Sequence, residues 1–121
     1  MPSSVQAILS TPDLDRAKRF YAHVFGAIET SRVPDEGPIF YLGLRIGDSD
    51  FGLVVNADTE VGKPQRILLS IRVDDVDGVA ALVPDAGGEL LGSPNNMPWG
   101  QRVAHTLDPD GNMVNLTQEL E

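Results

Sequence analysis

The chain is written twice. Sliding the first half along by 62 positions lays Asp13-Leu14-Asp15 on Asp75-Val76-Asp77, Phe20 on Leu82, Gly26 on Gly88 and Ile28 on Leu90. A repeat of this length constrains the fold more than any single residue does. Each copy has to form the same supersecondary unit, and the copies have to bury their apolar faces together.

Residues 5–10 read as a short strand, Thr11-Pro12-Asp13 breaks it and offers a helix cap, and a helix is predicted over Leu14–Phe25. Ala17, Phe20, Tyr21 and Val24 recur at spacings of three, four and seven, which gathers them on one helix face, and Gly26 supplies the stop. In the second copy Ile67, Leu69, Ile71 and Val73 alternate with Leu68, Ser70 and Arg72, the period of a strand with two different faces. Asp74-Asp75 then punctuates the chain, a helix is expected over 76–83, and 84–88 closes it. Three extended segments follow each helix, at 27–33, 39–46 and 51–56 and again at 89–93, 101–107 and 113–118. The unit is therefore βαβββ. Gly47-Asp48-Ser49-Asp50 and Asp108-Pro109-Asp110-Gly111 are tight-turn sequences that make the last two strands of each copy antiparallel hairpins.

The 121 residues, 41% of them hydrophobic, suit one compact domain spanning 1–121, with module one at about 1–62 and module two at about 63–121. No stretch of about 18 apolar residues occurs, and Met1-Pro2-Ser3-Ser4-Val5 lacks the basic and apolar runs of a leader, so a cytoplasmic protein with no membrane association is expected. The absence of cysteine excludes disulfides, thiolate metal sites and a cysteine nucleophile. A net charge of −9 with scattered Lys and Arg argues against nucleic acid as a partner. No phosphate-cradling glycine loop or zinc-type spacing is present.

The doubled unit carries Asp13-Leu14-Asp15-Arg16-Ala17-Lys18-Arg19-Phe20-Tyr21 near its start and Asp108-Pro109-Asp110-Gly111-Asn112 near its end. Over nearly its whole length it resembles the vicinal oxygen chelate superfamily of glyoxalase, bleomycin resistance proteins and extradiol dioxygenases. The resemblance implies an α+β fold in which two tandem βαβββ modules form an open curved eight-stranded cleft with helices outside. In the metal-dependent members of that superfamily, four side chains from four strands hold a divalent ion in the cleft. By the resemblance those positions fall on Gln6, Leu68, Asn115 and, within one residue, Leu53. Two amides and two aliphatic side chains offer neither the charge nor the donors to replace a hydration shell, so no metal and no cofactor are expected. The metal-free, bleomycin resistance-like branch is the one that remains.

With Gln6 and Leu68 in the cleft, alternation sends Ile8, Ser10, Ser70 and Arg72 the same way, and Phe51, Leu53, Met113 and Asn115 join them. A mostly apolar surface with a few amides and hydroxyls is the profile of a small-molecule pocket, and equally that of a filled core. The short turn at 108–111 sets His105 opposite Asn115, where a histidine either orients a ligand or acts as acid and base; superfamily dioxygenases place an acid at the similar position. Met97-Pro98-Trp99-Gly100-Gln101-Arg102 resembles the Trp-Gly-x-Arg segment of bleomycin resistance-like proteins. Trp99 either stacks on a flat ligand with Arg102 beside it, or covers the end of the core while Arg102 forms a surface ion pair.

These residues point first to a metal-independent small-molecule binding protein that sequesters an aromatic or cationic compound. The alternative is a glyoxalase-like lyase or dioxygenase-like enzyme acting on a small oxygenated metabolite, and a domain that mainly mediates association is a third reading. Superfamily members of this size commonly form twofold homodimers, and the same is expected here.

Overall fold

The computed structural model describes residues 3–63 and 65–121; Met1, Pro2 and Pro64 lie outside the described residues. The first module runs β1 (Ala7–Thr11), α1 (Leu14–Phe25), β2 (Ile28–Val33), β3 (Tyr41–Ile46) and β4 (Ser49–Val55). The second runs β5 (Leu69–Arg72), α2 (Val76–Ala80), a 3-10 turn (Pro84–Ala86), β6 (Glu89–Leu90), β7 (Asn95–Asn96), β8 (Gln101–Leu107) and β9 (Met113–Glu119). All eight strands expected from the repeat are present. β7 is an additional strand, a two-residue pairing with β8. The segment at 89–93 pairs only over Glu89–Leu90, because Gly92 in the left-handed region turns the chain away. No helix among the described residues is long and apolar enough to cross a membrane.

The two sheets have matching topology, β1-β4-β3-β2 and β5-β9-β8-β6. β1 and β5 run parallel to β4 and β9, whereas β3–β4 and β8–β9 are the antiparallel hairpins expected from their turns. A parallel pair needs a crossover, and each helix begins one.

Caps explain the helix starts. The Asp13 carboxylate accepts from the Arg16 amide at 3.1 Å, and Asp75 accepts from Gly78 at 3.2 Å in the other module. α1 ends at Gly26 with φ 70°, where the expected stop lies. α2 is shorter than expected, five residues rather than eight. Gly78 weakens its interior, and Pro84 cannot donate a backbone hydrogen bond to extend it.

One continuous core holds both modules. Leu42, Leu44, Phe51 and Leu53 from the first sheet, Ala104 and Leu116 from the second, and the buried faces of both helices belong to it. Phe20 and Tyr21 of α1 are completely buried. The Tyr21 ring packs 4.8 Å from Phe51 on its own sheet. Phe20 reaches into the second module, where a Cβ on Gly88 would fall 2.5 Å from its ring and 2.6 Å from the Leu107 carbonyl oxygen. Arg16 adds an ion pair to Asp110 at 2.5 Å. α1 thus bridges the modules, and the sheet faces turned away from the helices are left open.

Candidate functional site

Alternation decides which side chains reach the open faces. On β1, Ala7, Leu9 and Thr11 turn toward the core, which leaves Ile8 and Ser10 outward; Ile8 is 54% exposed. On β3, Leu42 and Leu44 are core residues, so Tyr41 and Gly43 face out. The Gln6 amide donates to the Tyr41 hydroxyl at 3.0 Å. β4 lies between β1 and β3, and the Tyr41 side chain crosses it at Gly52, where a Cβ would stand 2.9 Å from the ring and 3.3 Å from Ile8. Ser10 and Thr59 share a hydroxyl hydrogen bond at 2.5 Å on the same face.

The open face of the second sheet carries His105, Asn115, Ser70, Leu68 and Met113. His105 pairs with Asn115 in register, and Asn115 pairs with Ser70 on its other side. The Asn115 amide oxygen accepts from His105 Nδ1 at 2.8 Å, and Nε2 takes no part in that bond. Leu68, the residue before β5, is 48% exposed. Gln6 and Asn115 therefore make their hydrogen bonds within separate sheets and not with each other.

Phe51 and Leu53 are corrections to the expected lining. Both are buried among the core residues of the helix side, Phe51 against Tyr21 and Leu53 with no exposed surface. The repeat does not run at one offset to its end. Leu9 pairs with Leu53, and Ile71, its mate 62 positions on, pairs with Leu116, 63 positions beyond Leu53. The extra residue sits in the second hairpin turn. Gly47 and Asp48 alone separate the paired Ile46 and Ser49, whereas Asp108 bonds back to Asn112 around a three-residue tip. The mate of Asn115 is consequently Gly52.

Arg102 also departs from the expected lining. It lies on the helix side of β8, forms a bidentate ion pair with Asp77 of α2 at 2.8 and 3.0 Å, and donates to Asn96. The guanidinium bonded to Asp77 holds that carboxyl below its ordinary range. Trp99 is 68% exposed in the turn before β8, and its indole N–H donates to Gln101 at 2.9 Å. Tyr41 is the residue that sequence reasoning missed. The only signal for it was its place in the period-two pattern of β3, which does not tell how far a ring reaches.

A half-open crevice of about 810 Å³ lies between the start of β4, the end of α1 and β5, with Val5, Phe25, Ile46, Leu69, Ile71 and Val79 in its walls. Of the expected residues, Phe51, Ser70 and Arg72 border it.

By the resemblance, with the one-residue shift in the second turn, the positions that would correspond to a divalent-ion ligand set are Gln6, Gly52, Leu68 and Asn115. They do not fit one, since amides without a carboxylate or imidazole leave the charge uncompensated. Among the described residues, no three His, Asp or Glu side chains come together as a metal-binding group.

The family model of the Glyoxalase/Bleomycin resistance protein/Dioxygenase superfamily matches residues 4–116, almost the entire repeat. The chain belongs to this superfamily. Among curated proteins it is 29% identical over 112 residues to the Mycobacterium tuberculosis and Mycobacterium bovis proteins provisionally named glyoxylase CFP32. The match covers 91% of the chain and 43% of those proteins, so the chain spans less than half of their length. Solved structures of the superfamily share the fold. A glyoxalase/bleomycin resistance protein/dioxygenase family enzyme from Burkholderia phytofirmans superposes with a TM-score of 0.79 at 24% identity, covering 95% of this chain and 97% of that one. TioX from Micromonospora sp. ML1 gives 0.77 at 24% identity, with 98% and 100% covered. The bleomycin resistance determinant encoded on transposon Tn5 gives 0.73 at 19% identity, with 98% of each chain covered.

Proposed function

We propose that this superfamily member is a metal-independent small-molecule binding protein that sequesters an aromatic or cationic compound on its open sheet faces. The observation that carries the reading is the donor set of those faces. Gln6, Asn115, Ser70 and His105 present amides, a hydroxyl and one imidazole beside Ile8, Leu68 and Met113. Such a surface orients a ligand by a few hydrogen bonds and holds it by apolar burial, without Lewis-acid chemistry. Protection against a toxic compound is the role such binding would serve, by analogy with the resistance protein of the same fold.

The reading includes a homodimer. Ile8 and Leu68, 54% and 48% exposed, stand on open faces of different modules, and a second copy placing one open face against the other would cover both and enclose the ligand. A second reading, a lyase or dioxygenase acting on a small oxygenated metabolite, is favoured by the His105–Asn115 pair, which leaves His105 Nε2 available as an acid or base.

The test is a thermal unfolding series on tag-free protein with divalent ions, with EDTA, and with a panel of flat aromatic and cationic compounds. A ligand at a hundred times its Kd adds about 2.7 kcal/mol of stability. Stabilisation by a compound with no response to metal or EDTA supports the binding reading. Stoichiometric metal after purification, lost together with stability in EDTA, would sink it. Light scattering in the same buffer reports the mass expected of a dimer.

A further inference from the structure

The first sheet offers an aromatic surface whose position is fixed from two sides. Tyr41 is only partly buried, and its ring reaches across β4 to the residue before β1. Gly52 makes the crossing possible, because any Cβ there would stand 2.9 Å from a ring carbon and 3.0 Å from the hydroxyl. Gln6 then secures the far end through its 3.0 Å hydrogen bond to the hydroxyl oxygen. Ile8, more than half exposed, borders the ring.

We propose that Tyr41 is the residue on which the ligand stacks, and that the ligand is a flat aromatic compound carrying an oxygen acceptor, such as a ring carbonyl, at its edge. This rests on the small-molecule binding reading and narrows it to one chemistry. A ring already held in place has little rotamer freedom to lose when a ligand covers it, so stacking on it costs less than stacking on a free side chain. Its hydroxyl uses the oxygen to accept from Gln6 and keeps its own hydrogen to donate. Among the described residues that hydrogen has no side-chain acceptor, so it is available for an acceptor at the edge of a stacked ring.

A matched pair of probes separates the two parts. 2-Aminoanthraquinone carries ring carbonyls, and 2-aminoanthracene has the same flat outline without them; binding of each to the whole chain is measured by equilibrium dialysis. The wild type should prefer the quinone. Tyr41→Phe should weaken the quinone by about tenfold, the size of one lost hydrogen bond, and 2-aminoanthracene by clearly less, since for it only the anchoring of the ring by Gln6 is lost. Tyr41→Leu should weaken both by about tenfold through lost stacking. Gly52→Ala, which pushes the ring aside, should resemble Tyr41→Leu, and circular dichroism checks the fold of each variant. If Gly52→Ala does not fold, the two Tyr41 variants decide alone. Wild-type affinity for both dyes in Tyr41→Leu, with loss in Asn115→Leu, overturns the role of Tyr41 and leaves the binding reading standing. A wild type that binds neither dye also overturns the inference, whereas the binding reading falls only if the whole panel of the unfolding series fails.

Discussion

The Tyr21 hydroxyl donates to the Asp108 carboxylate at 2.7 Å, joining the middle of α1 to the last turn of the second module across 87 residues of sequence. Both side chains are buried, and Asp108 also accepts from the amides of Asp110 and Asn112 and from the Asn112 side chain. One carboxylate therefore shapes the turn and fastens it to the helix. A buried carboxylate with four donors is well compensated, and removing one donor leaves it partly unsatisfied. Tyr21→Phe should cost about 1.5–3 kcal/mol, read from chemical denaturation, the range for hydrogen bonds to charged groups.

The same pair predicts a response to alkali. Burial, followed by the neighbouring Asp108 charge, pushes the Tyr21 phenol well above its ordinary value near 10. A raised folded pKa means that the neutral phenol is favoured by the fold. Its contribution is complete below the unfolded pKa and is lost as pH rises above it. Stability should decline above about pH 10 in the wild type, and less steeply in Tyr21→Phe. An identical alkaline slope in both proteins would contradict the assignment.

Gly88→Ala tests how tightly α1 and the second module pack around Gly88. The added methyl would lie 2.6 Å from the Leu107 carbonyl oxygen and 2.8 Å from Val83, as well as against Phe20. Backbone cannot yield as a flexible side chain can, so a loss of about 1–3 kcal/mol is expected from overpacking. Equal stability of wild type and variant in urea would mean that the packing around Gly88 is looser than described.

Leu53 and Leu68 were expected to share a surface, and the structure separates them. Leu53→Ala should destabilise by about 2–5 kcal/mol because it leaves a cavity in the core. Leu68→Ala, at a position 48% exposed, should change stability by only about 0.5 kcal/mol and show its effect in ligand affinity. The opposite order would return Leu53 to the open face.

At the edge of the first sheet, Glu29 accepts from Arg32 and Lys18, which lowers its carboxyl from 4.5 to about 2. The stabilisation is present above the ordinary carboxylate range and fades as pH falls through the folded value. Carboxyl-carbon NMR titration should place the Glu29 midpoint near 2, and Arg32→Gln should raise it. High salt should shrink the difference, since the group is only partly buried.

The sequence by itself determined the repeat, the ends of α1, the two hairpins and the pairing of His105 with Asn115. Each follows from chemistry within a few residues: Asp13 as a cap, Gly26 as a stop, the turn at 108–111 fixing its own hairpin. Tertiary structure decided which face of β4 is buried, because a period of two distinguishes two faces without saying which one meets a helix. The single extra residue in the second turn then shifted the repeat and exchanged Leu53 for Gly52 as the mate of Asn115. It also decided that Arg102 meets Asp77 and that Tyr41 spans Gly52 to Gln6. Those contacts join strands and helices distant in the chain, and only the three-dimensional register sets the distance between them.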